Sequence, residues 1–137
     1  DAQILTGRCF LVAEDNAINS EILCELLKMY GARSVVMTDG IQAVEEFQRA
    51  EPGTYDAVLM DIRMPRMNGY DAARAIRRMA KEDAGTIPII AMTANAFAED
   101  VQEALEAGMN AHVAKPIDVK ILRDTLTGLL AGQTAGE

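Results

Sequence analysis

The chain has 137 residues, 50% of them hydrophobic and 25% charged, with a formal net charge of -8 at pH 7. That length suits a single domain with one unstapled core, and no apolar run approaches the ~20 residues needed to cross a bilayer. So acidic a balance repels phosphate backbones and argues against direct nucleic-acid binding. The chain opens on Asp1 without an apolar leader, so the expectation is a module cut from a longer protein. Cys9 and Cys24 fall in a strand-like run and in a helical pattern, where thiols behave as small hydrophobes; a disulfide is the lesser reading.

Residues 1–7 carry no pattern and are expected to be a linker. An apolar run over 9–13 stops at Glu14-Asp15 and reads as a buried strand. Asn16 caps a helix predicted over 17–30, with Ile18, Ile22, Leu23, Leu26, Leu27 and Tyr30 at helical spacing and Gly31 as its stop. A short β-branched strand over 34–37 leads through Thr38-Asp39-Gly40 into a second helix carrying Ala43, Val44 and Phe47, which ends near Pro52-Gly53.

The third strand, 57–60, ends on Asp61 and breaks into the loop Ile62-Arg63-Met64-Pro65-Arg66-Met67-Asn68-Gly69. Ala72, Ala73, Ile76 and Ala80 then form a helical stripe opposite Arg74, Arg77, Arg78 and Lys81, which read as a solvated basic face. A fourth strand over 87–92, with Pro88 near its start, delivers Thr93. The fourth helix, near 97–107, places Val101, Ala104 and Leu105 inward. A last strand over 111–114 runs into Lys115-Pro116, and Asp118 caps a helix carrying Ile121, Leu122, Leu126, Leu129 and Leu130, followed by a frayed tail over 131–137. Five strand-then-helix units argue for an α/β domain over 8–130 with an all-parallel, doubly wound sheet.

Laid parallel, the strands bring Glu14, Asp15, Asp61, Thr93 and Lys115 to one edge, which in open α/β sheets is where ligands bind. Two unit charges ~4 Å apart repel by about 4 kcal/mol at an effective dielectric near 20. Three clustered acids therefore call for counterions. Lys115 is one, and the all-oxygen donor set favours Mg²⁺, with Mn²⁺ possible. A hard cation, a lysine and a hydroxyl around a strand-end carboxylate suit phosphoryl transfer, with Asp61 as the nucleophile.

Glu14-Asp15-Asn16, Met60-Asp61-Ile62-Arg63-Met64-Pro65 with Asn68-Gly69, Met92-Thr93-Ala94 and Lys115-Pro116 together resemble the receiver domain of two-component response regulators. Asp15-Asn16 followed by Asn19 is further similar to the receivers fused to hybrid histidine kinases. The resemblance implies a flavodoxin-like fold, with five helices around a sheet in order 2-1-3-4-5. It implies a phosphorelay module that accepts a phosphoryl group on Asp61 in a Mg²⁺-dependent reaction and then switches its partner-binding surface. Such a module phosphorylates and dephosphorylates itself, with no external turnover.

By the same resemblance Asp15, Asp61 and the backbone carbonyl of Arg63 bind the metal and Glu14 acts through a metal-bound water. Lys115 and Thr93 hold phosphoryl oxygens, Thr93 moves as the switch, and the bond before Pro116 is cis. Arg63 and Asn95, flanking the site, are expected to influence hydrolysis. His112 stands where the family commonly has an aromatic switch residue; histidine changes charge close to neutral pH, so a pH-sensitive output face is the sharper expectation and a slot-filling, partly buried imidazole the plainer one.

The implied partner is a phosphohistidine-bearing kinase domain or a histidine phosphotransfer protein. Neither nucleic acid nor membrane is contacted by this segment, which is expected to be a monomer or weak dimer in the cytoplasm, even where the parent protein is membrane-anchored. Two other readings compete. A dehalogenase-like phosphatase would also use Asp61 as nucleophile, but it resembles Asp-x-Asp after the strand, and here Arg63 holds the second position. A nucleotide or flavin module would need a glycine-rich loop after the first strand, where Glu14-Asp15 stand instead.

Overall fold

The computed structural model describes residues 2–94 and 98–134. Five strands, β1 (Cys9–Ala13), β2 (Arg33–Met37), β3 (Ala57–Asp61), β4 (Ile89–Thr93) and β5 (Ala111–Ala114), alternate with five helices. The helices are α1 (Ala17–Met29), α2 (Gly40–Arg49), α3 (Gly69–Arg77), α4 (Ala98–Glu106) and α5 (Val119–Thr134). The strands form one sheet in the order β2-β1-β3-β4-β5, every pairing parallel. This is the doubly wound, flavodoxin-like arrangement.

The near-continuous apolar composition of β1, β3 and β4 follows from burial on both faces, and side chains alternate between two cores. Leu11, Ala13, Val58, Met60 and Ala91 pack on one side with Phe47 of α2, Ile76 of α3 and Ala104 of α4. Phe10, Val12, Leu59, Ile90 and Met92 pack on the other with Leu23 and Leu27 of α1 and Leu122, Leu126 and Leu130 of α5. Side-chain caps start four helices: Asn16, Asp39 and Asn68 accept the backbone N–H of Asn19, Gln42 and Asp71 respectively, and Asp118 accepts those of Lys120 and Ile121 at the start of α5.

Regular structure extends further than expected toward both ends of the described residues. Ala2–Leu5 forms a 3-10 turn, and Leu5 is completely buried in the core that α5 lines, so this segment belongs to the domain rather than to a linker. Helix α5 continues to Thr134, into the segment expected as a tail. Cys9 and Cys24 are free thiols, with the Ser34 hydroxyl donating to the Cys24 sulfur at 3.0 Å. Leu105 is 54% exposed, not inward, and Ala80 lies beyond the end of α3.

The basic face of α3 is also not simply solvated. Arg77 donates from Nε to the Gly108 carbonyl, from Nη1 to the Ala84 carbonyl and from Nη2 to Asn110 Oδ1, each at 2.9 Å. Lys81 lies 3.9 Å from the centre of the Phe47 ring and 3.0 Å from Asp83. Arg74 pairs with Asp71, while Arg78 is exposed. Burial pulls the Arg77 guanidinium below its usual range, yet it remains charged and ties α3 to the turns before β4 and β5. Hydrogen bonds to charged groups are worth about 1.5–3 kcal/mol. Arg77→Ala is therefore expected to lower unfolding free energy by about 2–3 kcal/mol in urea titrations; an unchanged midpoint would remove this role.

Candidate functional site

Parallel pairing sets which strand ends meet. Asp61, the last residue of the central strand β3, is only 5% exposed, and Glu14, just after β1, is 2% exposed. Their depth follows from the sheet: Glu14 N–H donates to the Met37 carbonyl at 3.0 Å and Ile62 N–H to the Met92 carbonyl at 3.2 Å, so the backbone stays hydrogen-bonded up to the edge. Asp15, one residue further, is exposed.

Carboxylate oxygens of Glu14, Asp15 and Asp61 all lie within 4.8 Å of one another. Lys115, carried past β5, places Nζ 3.0 Å from Asp61 Oδ1 and 3.1 Å from Glu14 Oε1. The other Glu14 oxygen accepts the Asn16 N–H at 3.1 Å. Burial pushes the Glu14 carboxyl above its ordinary range against the pull of Asn16 and Lys115, and the Asp61 charge adds to the rise. Burial disfavours the Lys115 ammonium, but its bonds to Asp61 and Glu14 prevail and lift it above the usual lysine range. Lys115 therefore stays charged between two acids.

Thr93 ends β4 beside Ala114, and its carbonyl accepts the Lys115 N–H at 2.8 Å. The Lys115-Pro116 peptide is cis. These groups line a cleft of about 700 Å³ together with Asn16, Asn19, Ile62, Arg63, Met64, Asn68, Tyr70, Ala94 and Asp100. Glu14, Asp15, Asp61, Arg63, Thr93 and Lys115 are thus brought together, and His112 is not. His112 lies exposed on β5, so it fills no buried slot. Asn95 lies outside the described residues.

Tyr70 and Asp100 escaped the sequence reading. The Tyr70 hydroxyl donates to the Asp100 carbonyl at 3.4 Å, closing the cleft wall between α3 and α4. Burial first, then the charges of Asp100 and Glu103, raise the Tyr70 phenol, which therefore remains a donor. Its place next to Gly69 was the only signal in the chain, because an acid on the outward side of a helix carries none.

Three oxygen ligands so close fit a hard divalent cation, and no thiol or imidazole belongs to the group. The loop that would present the Arg63 carbonyl is held from below. Gly69 N–H donates to the Ile62 carbonyl at 2.8 Å, and a Cβ at Gly69 would lie 2.3 Å from the Asp61 carbonyl oxygen.

Residues 10–127 match the family model of the response regulator receiver domain, and the chain belongs to that family. It is 38% identical over 126 residues to the peroxide stress-activated histidine kinase mak1 of Schizosaccharomyces pombe, a match covering 91% of this chain and 8% of that kinase. A receiver segment within a histidine kinase is the hybrid arrangement. Among solved structures, the receiver domain of sensor histidine kinase PA1611 from Pseudomonas aeruginosa PAO1, with magnesium coordinated in its active site cleft, is 40% identical. It aligns with a TM-score of 0.81 over 92% of this chain and 99% of that one. A chain of the co-crystal of the Saccharomyces cerevisiae histidine phosphotransfer signaling protein Ypd1 with the receiver domain of Ssk1 is 26% identical. Its TM-score is 0.80, over 92% of this chain and 90% of that one. The domain is a receiver module of two-component phosphorelay systems, and nothing in these likenesses favours a phosphatase.

Because the obstacle at Gly69 is backbone, Gly69→Ala must move the end of β3 and the loop that follows Asp61. Overpacking of this kind costs about 1–3 kcal/mol. The variant is expected to lose that much stability in urea and to bind Mg²⁺ at least several-fold more weakly by calorimetry; wild-type Mg²⁺ affinity would show that the loop yields elsewhere.

Proposed function

We propose that Asp61 is the phosphoacceptor of this receiver and that Asp15, Asp61 and the Arg63 carbonyl hold Mg²⁺. The observation that carries this reading is a nearly buried carboxylate at the end of the central strand, paired with Lys115 at 3.0 Å inside a group of three acids. Both Glu14 oxygens are already engaged by Lys115 and Asn16, which supports a role through metal-bound water for Glu14.

An Asp61 oxygen attacks phosphorus as the P–N bond of the donor's phosphohistidine breaks, and the imidazole leaves with that electron pair. Lys115 and the Thr93 hydroxyl donate to the phosphoryl oxygens as charge spreads onto them. When bound, Mg²⁺ neutralises charge on the carboxylates and the phosphoryl group. Lys115 then shares its ammonium between Asp61 and the new phosphoryl group, and movement of Thr93 shifts the surface around α4, β5 and α5, where His112 is exposed.

The donor is a kinase domain or a histidine phosphotransfer protein, in keeping with the Ypd1–Ssk1 receiver complex. Such a partner must cover the mouth of the cleft. Ile18 and Ile22 of α1, the helix whose Asn19 lines that cleft, are 68% and 53% exposed. An apolar hollow of about 350 Å³, lined by Ile22, Leu23, Met92, Pro116 and Ile117, adjoins Glu14 and Lys115. No helix among the described residues is long and apolar enough to cross a membrane, and we place the module in the cytoplasm with its parent kinase.

Incubation with acetyl phosphate and Mg²⁺ is expected to add one phosphoryl group that hydroxylamine removes, seen by intact mass. Asp61→Asn and metal removal should each abolish it; a folded wild type that binds Mg²⁺ but forms no adduct would reject this reading. Ile22→Asp should slow phosphoryl transfer from a phosphorylated histidine phosphotransfer protein by about tenfold or more, the loss of a buried apolar contact being worth about 1.5–3 kcal/mol. Its labelling by acetyl phosphate should be unchanged, and equal slowing with both donors would exclude α1 as the docking face.

A further inference from the structure

We propose that the Asp39–Arg66 ion pair is a positioning device: it clamps the far side of the loop after Asp61 onto the start of α2 and so determines where the Arg63 carbonyl stands relative to the acidic cluster. This rests on the reading of that cluster as the Mg²⁺ site.

The loop has an unusual turn at its tip. Met67 N–H donates to the Pro65 carbonyl at 2.7 Å, closing a three-residue turn around Arg66, whose φ is 68°. That is the positive-φ form of the γ-turn, rare and strained. Arg66 is the one non-glycine residue with positive φ among the described residues. A side chain with a Cβ resists this conformation, so it persists only where the surroundings enforce it.

Two contacts from the β2–α2 connection do so. Arg66 Nη1 donates to Asp39 Oδ2 at 3.2 Å, across 27 positions of sequence. Beside it, Gly40 lies so close under Met67 that a Cβ there would sit 2.3 Å from the Met67 carbonyl oxygen. An exposed ion pair would hold nothing firmly. Here the Asp39 side chain is only 6% exposed, and its other oxygen caps α2 by accepting the Gln42 N–H at 2.8 Å. Without Arg66 the second oxygen of a nearly dry carboxylate loses its cation, which gives the pair its grip although the Arg66 side chain is 58% exposed.

The path from this turn to the metal is short. Pro65 separates Arg66 from Met64 and fixes its own φ, which stiffens the link. Arg63, Met64 and Asn68 all line the cleft, so a turn released from α2 changes the cleft wall directly.

The test compares the whole chain with Arg66→Ala, Arg66→Lys, Asp39→Asn and the Asp39→Asn/Arg66→Ala double variant; asparagine keeps the helix cap. Mg²⁺ is titrated by calorimetry, acetyl phosphate labelling is timed at saturating Mg²⁺, and stability is read in urea. Groups that orient metal ligands typically alter affinity by 10–100-fold, so each single variant should bind Mg²⁺ about tenfold more weakly. The double variant should be no worse than either single, Arg66→Lys should recover most of the loss, and labelling at saturating Mg²⁺ should stay near wild type. Affinity within twofold of wild type in Arg66→Ala, losses that multiply in the double variant, or a loss that merely tracks unfolding would overturn the clamp. Each of those results leaves Asp61-dependent labelling of the wild type intact, whereas a wild type that binds no Mg²⁺ refutes the underlying site as well.

Discussion

The structure depends on one electrostatic constraint: two carboxylates, Glu14 and Asp61, are sunk into the carboxyl edge of a parallel sheet and share a single ammonium. Lys115 reaches both at 3.0–3.1 Å. Desolvation raises the free energy of each buried anion, and their mutual repulsion adds to it. One cation cannot neutralise that pair and the adjacent Asp15 together. On the function proposed above, the remaining negative charge is what draws a hard cation into the cleft and, with that cation, a phosphoryl group.

The fold places these charges by its chain path. Parallel strands need crossover helices, so every strand must end on the same edge, and the ends of β1, β3, β4 and β5 each contribute a residue to the site. The central position of β3 between β1 and β4 sets Asp61 between Glu14 and Thr93, and β5 on the outside brings Lys115 inward from the flank. The two hydrophobic cores pack the sheet beneath this edge from both faces. The loops that leave it are held by backbone packing at Gly69 and Gly40, where no Cβ fits.

Much of this was legible in the residues themselves. Apolar runs of strand length, each ending on a polar residue, mark the strand ends, and the caps Asn16 and Asp118 mark where the first and last helices begin. The misjudged parts were those in which a side chain reaches far along the sequence. Arg77 reads as one more cation on a helix face, yet it anchors turns 7 and 31–33 residues away. Leu5 sits in a stretch too short to show periodicity and is nonetheless buried beside α5. Leu105 fits the inward pattern of α4 but faces solvent, because Ala104 and Ala107 are the residues of that stretch that pack into the core.

By itself the sequence determined the alternation of strands and helices and the chemical identity of the strand-end groups, because hydrophobic period and turn chemistry act over a few residues. Which of those groups would touch, how deeply Glu14 and Asp61 would be buried, and that Tyr70 and Asp100 would complete the cleft were decided only by the tertiary structure. So was the clasp between Asp39 and Arg66. Distance and dielectric are properties of packed neighbours, and in a parallel sheet the neighbours of a strand end lie tens of residues away along the chain.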